Sequence, residues 1–199
     1  MTISPAVSTP GFPQHRTRSI TEPGQDRVTH WSGDYIAVHQ VGRWEYVGRV
    51  RGIGAAALLA IDEDTDGRRF AILVEQYRVP LEAHCLELPA GLVGDNEEGE
   101  TPERAAAKEL EEETGYRAGT IENLGRFCSS PGMLSETFTL FRASQLEKVG
   151  EGGGTESEDI AVHCVALDEI AAFVAAKRAA GCVIDVRILT LLGAGLIAA

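Results

Sequence analysis

Three glutamates, Glu109, Glu112 and Glu113, stand at i, i+3 and i+4. On a helix this spacing gathers their carboxylates on one face. Like charges so spaced destabilise a helix by about 0.2–0.5 kcal/mol per pair. They also crowd the C-terminal half of the segment, where the helix macrodipole disfavours negative charge. The arrangement becomes favourable if divalent cations lie between the carboxylates, and hard oxygen donors suit Mg²⁺ or Mn²⁺. The plain alternative is a solvated acidic face, the usual meaning of a charge run. Glu111 points away from the trio, and Ala106, Leu110 and Thr114 form a separate face able to pack on a sheet.

The helix carrying these residues has clear ends. Thr101-Pro102 places an N-cap before a proline at the first helical position, and Gly115 is a natural stop after Thr114. Upstream, Asp34–Gln40 and Trp44–Val50 predict strands joined through Val41-Gly42-Arg43. Ile53–Ile61 and Arg69–Tyr77 predict a longer hairpin with the turn signal Asp66-Gly67. Cys85–Ala90 predicts a short strand, followed by Gly91 and Gly94. Downstream, strands are expected near Ile121–Cys128, Thr137–Arg142 and Ile160–Leu167, with a flexible loop at Gly150–Gly154. Asp168 is expected to cap a helix running to about Ala180, and a last helix to begin near Ile184. Strands and helices interleave without a βαβ rhythm, which predicts an α+β sandwich around a mixed sheet.

Composition narrows the partners. The chain has 199 residues, 44% of them apolar, enough for one domain with a core. A net charge of −12 argues against a nucleic-acid partner. It does not exclude a small phosphate ester, because cations can lie between acidic groups on both sides. The first residues carry no apolar run, so no secretory signal is expected, and the run Ile188–Ala199 is too short to span a bilayer. Cys85, Cys128, Cys164 and Cys182 form no CxxC pair and are expected to be buried reduced thiols, as in a cytoplasmic protein. Residues 1–27 hold four of the eight prolines and are expected to form a flexible tail.

Gly94, Glu100 and the run Lys108-Glu109-Leu110-Glu111-Glu112-Glu113-Thr114-Gly115-Tyr116 resemble the Nudix box, G-x5-E-x7-R-E-U-x-E-E-x-G-U, with Lys108 in place of the arginine. The resemblance extends over about residues 34–197. It implies a Nudix-type α/β/α sandwich over residues 52–199, preceded at 28–51 by a strand region for dimerisation and base contacts. It also implies Glu109, Glu112, Glu113 and the carbonyl of Ala90 as Mg²⁺ ligands, with Glu112 and Glu113 catalytic and Glu100 supportive. The family's arginine orients a box glutamate through its planar fork. Lysine keeps the charge without the fork, so reduced rigidity is expected.

Further residues resemble the ADP-ribose pyrophosphatase subgroup. Pro131 stands sixteen residues beyond Gly115, within Ser129-Ser130-Pro131-Gly132. Glu75-Gln76-Tyr77-Arg78, Leu86-Glu87-Leu88-Pro89-Ala90-Gly91 and Glu136 also match that pattern. The resemblance implies substrate contacts from Arg78, Pro131, Gly132 and Glu136. It implies a general base at Glu156, with Glu158 second, on a loop whose glycines let it close over substrate. The implied activity is Mg²⁺-dependent hydrolysis of a nucleoside diphosphate sugar, ADP-ribose to AMP and ribose 5-phosphate. GDP-mannose hydrolases of the same family share the Ser-Pro-Gly turn and are the alternative. A non-catalytic nucleotide-sugar sensor is a third reading, opposed by the intact box carboxylates. Relatives of this kind are homodimers, and Trp31, Tyr35, Trp44 and Tyr46 are candidates for base stacking or plain packing.

Overall fold

The computed structural model describes residues 26–50, 54–93, 101–154 and 158–193. Two sheets come first to notice. A three-stranded antiparallel sheet consists of β1 (Val28–Ser32), β2 (Ile36–Val41) and β3 (Trp44–Arg49). Val28–Ser32 is a strand that its sequence pattern does not single out.

The second sheet is mixed and eight-stranded. It comprises β4 (Gly54–Glu63), β5 (Arg69–Arg78), β6 (Ala83–Glu87), β7 (Ala90–Val93), β8 (Tyr116–Phe127), β9 (Phe138–Lys148), β10 (Ala161–Ala166) and β11 (Val183–Ile184). Its main order is β11-β6-β5-β4-β9-β8, with β10 on β5 and β7 on β4. The β4–β9 and β11–β6 pairs are parallel and the others antiparallel. The expected strand Cys85–Ala90 is divided at Leu88-Pro89. Proline cannot donate to the ladder, and the chain crosses there from β5 to β4. Leu58 N–H bonds the Pro89 carbonyl at 2.8 Å at that crossing. Both β8 and β9 run longer than their apolar stretches suggest, with an irregular register between Asn123 and Gly125.

Alternation along the central strands separates two cores, as the period of two demands. Ala56, Leu58, Ala60, Ile72, Phe141 and Ala143 pack on one face with Ala106 and Leu110 of α1 (Pro102–Thr114). Ala57, Ala71, Leu73 and Leu140 face the other way, against Ile170 and Val174 of α2 (Ile170–Ala179) and Ile188. Full burial of a leucine such as Leu110 contributes about 1.5–3 kcal/mol. The architecture is therefore an α+β sandwich around a mixed sheet.

The ends of α1 follow the sequence. The Thr101 side chain accepts from Arg104 N–H, and Gly115 adopts φ 69°, its N–H bonding the Glu111 carbonyl. A Cβ at Gly115 would lie 2.2 Å from the Gly150 carbonyl oxygen, so glycine is needed for both conformation and space. Three local expectations are corrected. Asp168 does not cap α2: Arg68 holds it at 3.1 Å and Glu169 at 2.9 Å, and Glu169 at the N-cap makes no side-chain capping bond. The segment at Ile184 begins as strand β11 and a single 3₁₀ turn, Val186–Ile188, because Asp185 N–H bonds Leu86 and its side chain caps Arg187 N–H. Helix α3 spans only Leu189–Leu192 among the described residues. Of the four cysteines, all free, Cys85 is buried while Cys128, beyond the end of β8, and Cys164, on β10, are exposed. Among the described residues, no helix is long and apolar enough to cross a membrane.

Candidate functional site

Helix α1 lies across β7, and its C-terminal half meets the strand where Ala90 begins it. Glu113 is buried there, and its Oε2 accepts the Ala90 N–H at 3.0 Å. Gly91 lets the next carboxylate approach: a Cβ on it would sit 2.0 Å from Glu109 Cδ. Ala90, Glu109 and Glu113 thus line one cavity of about 720 Å³, and Glu158 lines it too. Burial pushes the Glu113 carboxyl up to about 8, and Glu109 and Glu158 push it the same way. The Ala90 N–H and Arg78 pull it down.

Glu112 lies outside this group. Its exposed side chain stands 3.7 Å from Lys108, one turn back on the helix. At that separation the two form an ion pair without a hydrogen bond. Among the described residues no three acidic, histidine or cysteine side chains are already gathered at metal-ligating separation. The donors that are present, two carboxylates beside a strand backbone in a cavity, fit a hard divalent cation. Glu111 points away and forks with Arg117 at 2.9 and 3.0 Å.

The same cavity is lined by Arg49, Arg78 and Arg187, each paired with a carboxylate. Arg78, at the end of β5, is forked to Glu87 at 2.6 and 2.9 Å. Glu87 is only 4% exposed, and it holds the Arg78 guanidinium above its ordinary value against the opposing effect of burial. Removing one partner from a buried ion pair costs about 3–5 kcal/mol, so this carboxylate requires its cations. Glu87 also receives Arg187 at 3.2 Å. Glu136 lines the cavity in an ion pair with Arg49 of β3. Val47 N–H bonds the Met133 carbonyl and Ser135 N–H bonds the Val47 carbonyl, both at 2.9 Å. The small sheet is thereby fastened to the loop before β9. Within that loop Ser129 and Glu136 reach the cavity, whereas Pro131 and Gly132 form an exposed turn that does not line it.

The glycine loop is anchored over the part described. Gly153 N–H bonds the Glu113 carbonyl at 2.8 Å and Gly154 N–H bonds the Glu112 carbonyl at 3.1 Å, satisfying the free end of α1. Glu100 and Glu156 lie outside the described residues. Trp31, Tyr35 and Trp44 are exposed on the small sheet, and Tyr46 packs at 5.5 Å on His39; none lines the cavity. Sequence reasoning assigned no role to Arg49, Glu87, Asp185 or Arg187. Charged residues inside otherwise apolar strands and an apolar tail were the available signal.

The folded Glu113 value lies above the ordinary 4.5, so the folded state holds this proton more tightly than the unfolded chain. Stability in a chelator should therefore fall as pH rises from 4.5 towards 8. Glu113→Gln keeps an oxygen for Ala90 and removes the charge. It should lose that slope and melt higher than the wild type at mildly alkaline pH, by about 2–4 °C per kcal/mol recovered. Thermal scans at several pH values check this, and a chelated wild type that outlasts the variant contradicts it.

Comparison with known proteins gives the family and the fold. The model of the NUDIX domain matches residues 51–184. The chain is 39% identical over 130 residues to a methanol dehydrogenase activator of Bacillus methanolicus, covering 65% of this chain and 66% of that protein. It is 42% identical over 98 residues to an ADP-ribose pyrophosphatase of Bacillus subtilis, covering 49% of each. The chain thus spans about half to two thirds of the length of these relatives. A crystal structure of an ADP compounds hydrolase shares the fold, with a TM-score of 0.60 at 22% identity over 84% of this chain and 89% of that one.

Proposed function

Since the chain belongs to the NUDIX domain family, we propose that it hydrolyses the pyrophosphate bond of a nucleoside diphosphate sugar, with ADP-ribose the preferred substrate. One observation carries the reading: Glu109, Glu113 and Ala90 face Arg78 across a single cavity wide enough for such a molecule. The similarity to an ADP-ribose pyrophosphatase supports the choice of base and sugar.

Glu109, Glu113 and the Ala90 carbonyl would hold Mg²⁺, or Mn²⁺ in its place, and Glu112 would join them by leaving Lys108. A divalent cation supplies charge neutralisation and polarisation of the pyrophosphate oxygens. Arg78 turns its remaining donors to the phosphates, and Glu136, released from Arg49, adds a further substrate contact. A loop carboxylate takes the proton of the attacking water as its oxygen bonds to phosphorus. The bridging P–O bond breaks, giving AMP and ribose 5-phosphate. By the resemblance Glu156 is the first candidate for this base, and Glu158, which lines the cavity, is the second.

A hydrolysis panel of ADP-ribose, GDP-mannose and ADP-glucose with Mg²⁺, each product identified, tests the reading. AMP release from ADP-ribose is expected. Loss of the base should cost about 10²–10⁴-fold in kcat, so Glu156→Gln and Glu158→Gln separate the two candidates. Binding without turnover of any substrate would instead make the chain a sensor.

We also propose a homodimer formed through the small sheet, where Trp31 and Ile36 are exposed on one face. Light scattering on the full chain should give twice the 21.3 kDa chain mass, and a monomer at micromolar concentration contradicts it.

A further inference from the structure

The C-terminal segment reaches the cavity wall and carries a guanidinium with no assigned role. Strand β11 pairs in parallel with β6, and Asp185 N–H bonds the Leu86 carbonyl at 3.0 Å. Two residues on, Arg187 turns back with a side chain only 17% exposed. Its Nε and one terminal nitrogen grip Asp185 at 2.7 and 3.0 Å, and the same terminal nitrogen bonds Glu87 at 3.2 Å. The guanidinium lies 5.6 Å from the centre of the Phe138 ring.

We propose that Arg187 is a positioning residue that acts through Glu87 to hold the Arg78 guanidinium facing the cavity. The proposal rests on the reading of Arg78 as a phosphate contact. Three of the five N–H donors of Arg187 are committed to carboxylates, including the forked edge that best recognises a phosphate. Arg78 differs: its fork is spent on Glu87, but its side chain is 42% exposed and its other donors are open to the cavity. Glu87 therefore receives three N–H bonds from two guanidiniums. With Asp185, the cluster has two positive and two negative groups and balances within itself. Without Arg187, one oxygen of Glu87 loses a partner, the carboxylate gains freedom to rotate, and the plane of Arg78 rotates with it. Lysine cannot serve both carboxylates in this geometry.

The test is a double-mutant cycle on the full chain with Mg²⁺, using a methylene-bridged ADP-ribose analogue whose P–C–P bridge resists hydrolysis. Calorimetry should show Arg187→Gln and Arg78→Ala each weakening binding by about tenfold, with the double variant no weaker than Arg78→Ala. Arg187→Lys should fall between wild type and Arg187→Gln, and it supplies the comparison if the glutamine variant fails to fold. Losses that add would make Arg187 a direct contact and overturn the indirect route. So would unchanged affinity in Arg187→Gln.

A second readout needs no ligand. The Arg78 Nε–H, identified by its disappearance in Arg78→Ala, should give a solvent-protected nitrogen-15 NMR signal in the wild type. In Arg187→Gln it should exchange faster while the backbone spectrum is retained. An unchanged signal overturns the positioning role. If the wild type binds no analogue yet this signal behaves as expected, the substrate reading fails and the positioning role stands.

Discussion

Burying a carboxylate is unfavourable unless something replaces the water it loses, and Glu113 is placed where that replacement is incomplete. One backbone N–H from Ala90 serves one of its oxygens. Nearby, Glu109 and Glu158 add repulsion rather than relief. The packing of α1 gives the residue little freedom to escape, since Ala106 and Leu110 fix the helix on the sheet and Gly115 ends it against Gly150. The local fold thus holds acidic groups together at an electrostatic cost that the proposed cation would remove.

The opposite wall is arranged on the reverse principle. Arg78, Glu87, Arg187 and Asp185 neutralise one another and are tied to β6 and β11. A satisfied ionic cluster is stiff because each member lost leaves another uncompensated. The cavity therefore lies between a wall of acidic groups and a wall whose charges are paired with one another. The proposed diphosphate would lie between them, with a cation on the acidic side and the open donors of Arg78 on the other. The small sheet joins this arrangement through Val47 and Arg49, so a change in that sheet is transmitted to Glu136.

Much of this was legible in the sequence because it is local. The limits of α1 follow from Thr101, Pro102 and Gly115, and its two faces follow from helical spacing. The hairpin of β4 and β5 follows from the turn signal Asp66-Gly67. What escaped depends on contacts between distant residues. Arg187 meets Glu87 across 100 residues, and no periodicity marks such a pair. The capture of Asp168 by Arg68 displaced an otherwise plausible N-cap. Pro89 broke an apolar run that reads as one strand. Glu112 shares a helical face with Glu109 and Glu113, yet its side chain turns to Lys108. Spacing fixes the direction of a Cβ, but rotamer and neighbours decide where a long side chain ends.

If Glu109 and Glu113 create a divalent-cation site, equilibrium Mn²⁺ binding to the full chain, followed through loss of the free-ion electron paramagnetic resonance signal, should be saturable in the wild type. It should weaken by more than about tenfold in both Glu109→Gln and Glu113→Gln. Wild-type affinity in the two variants would contradict it.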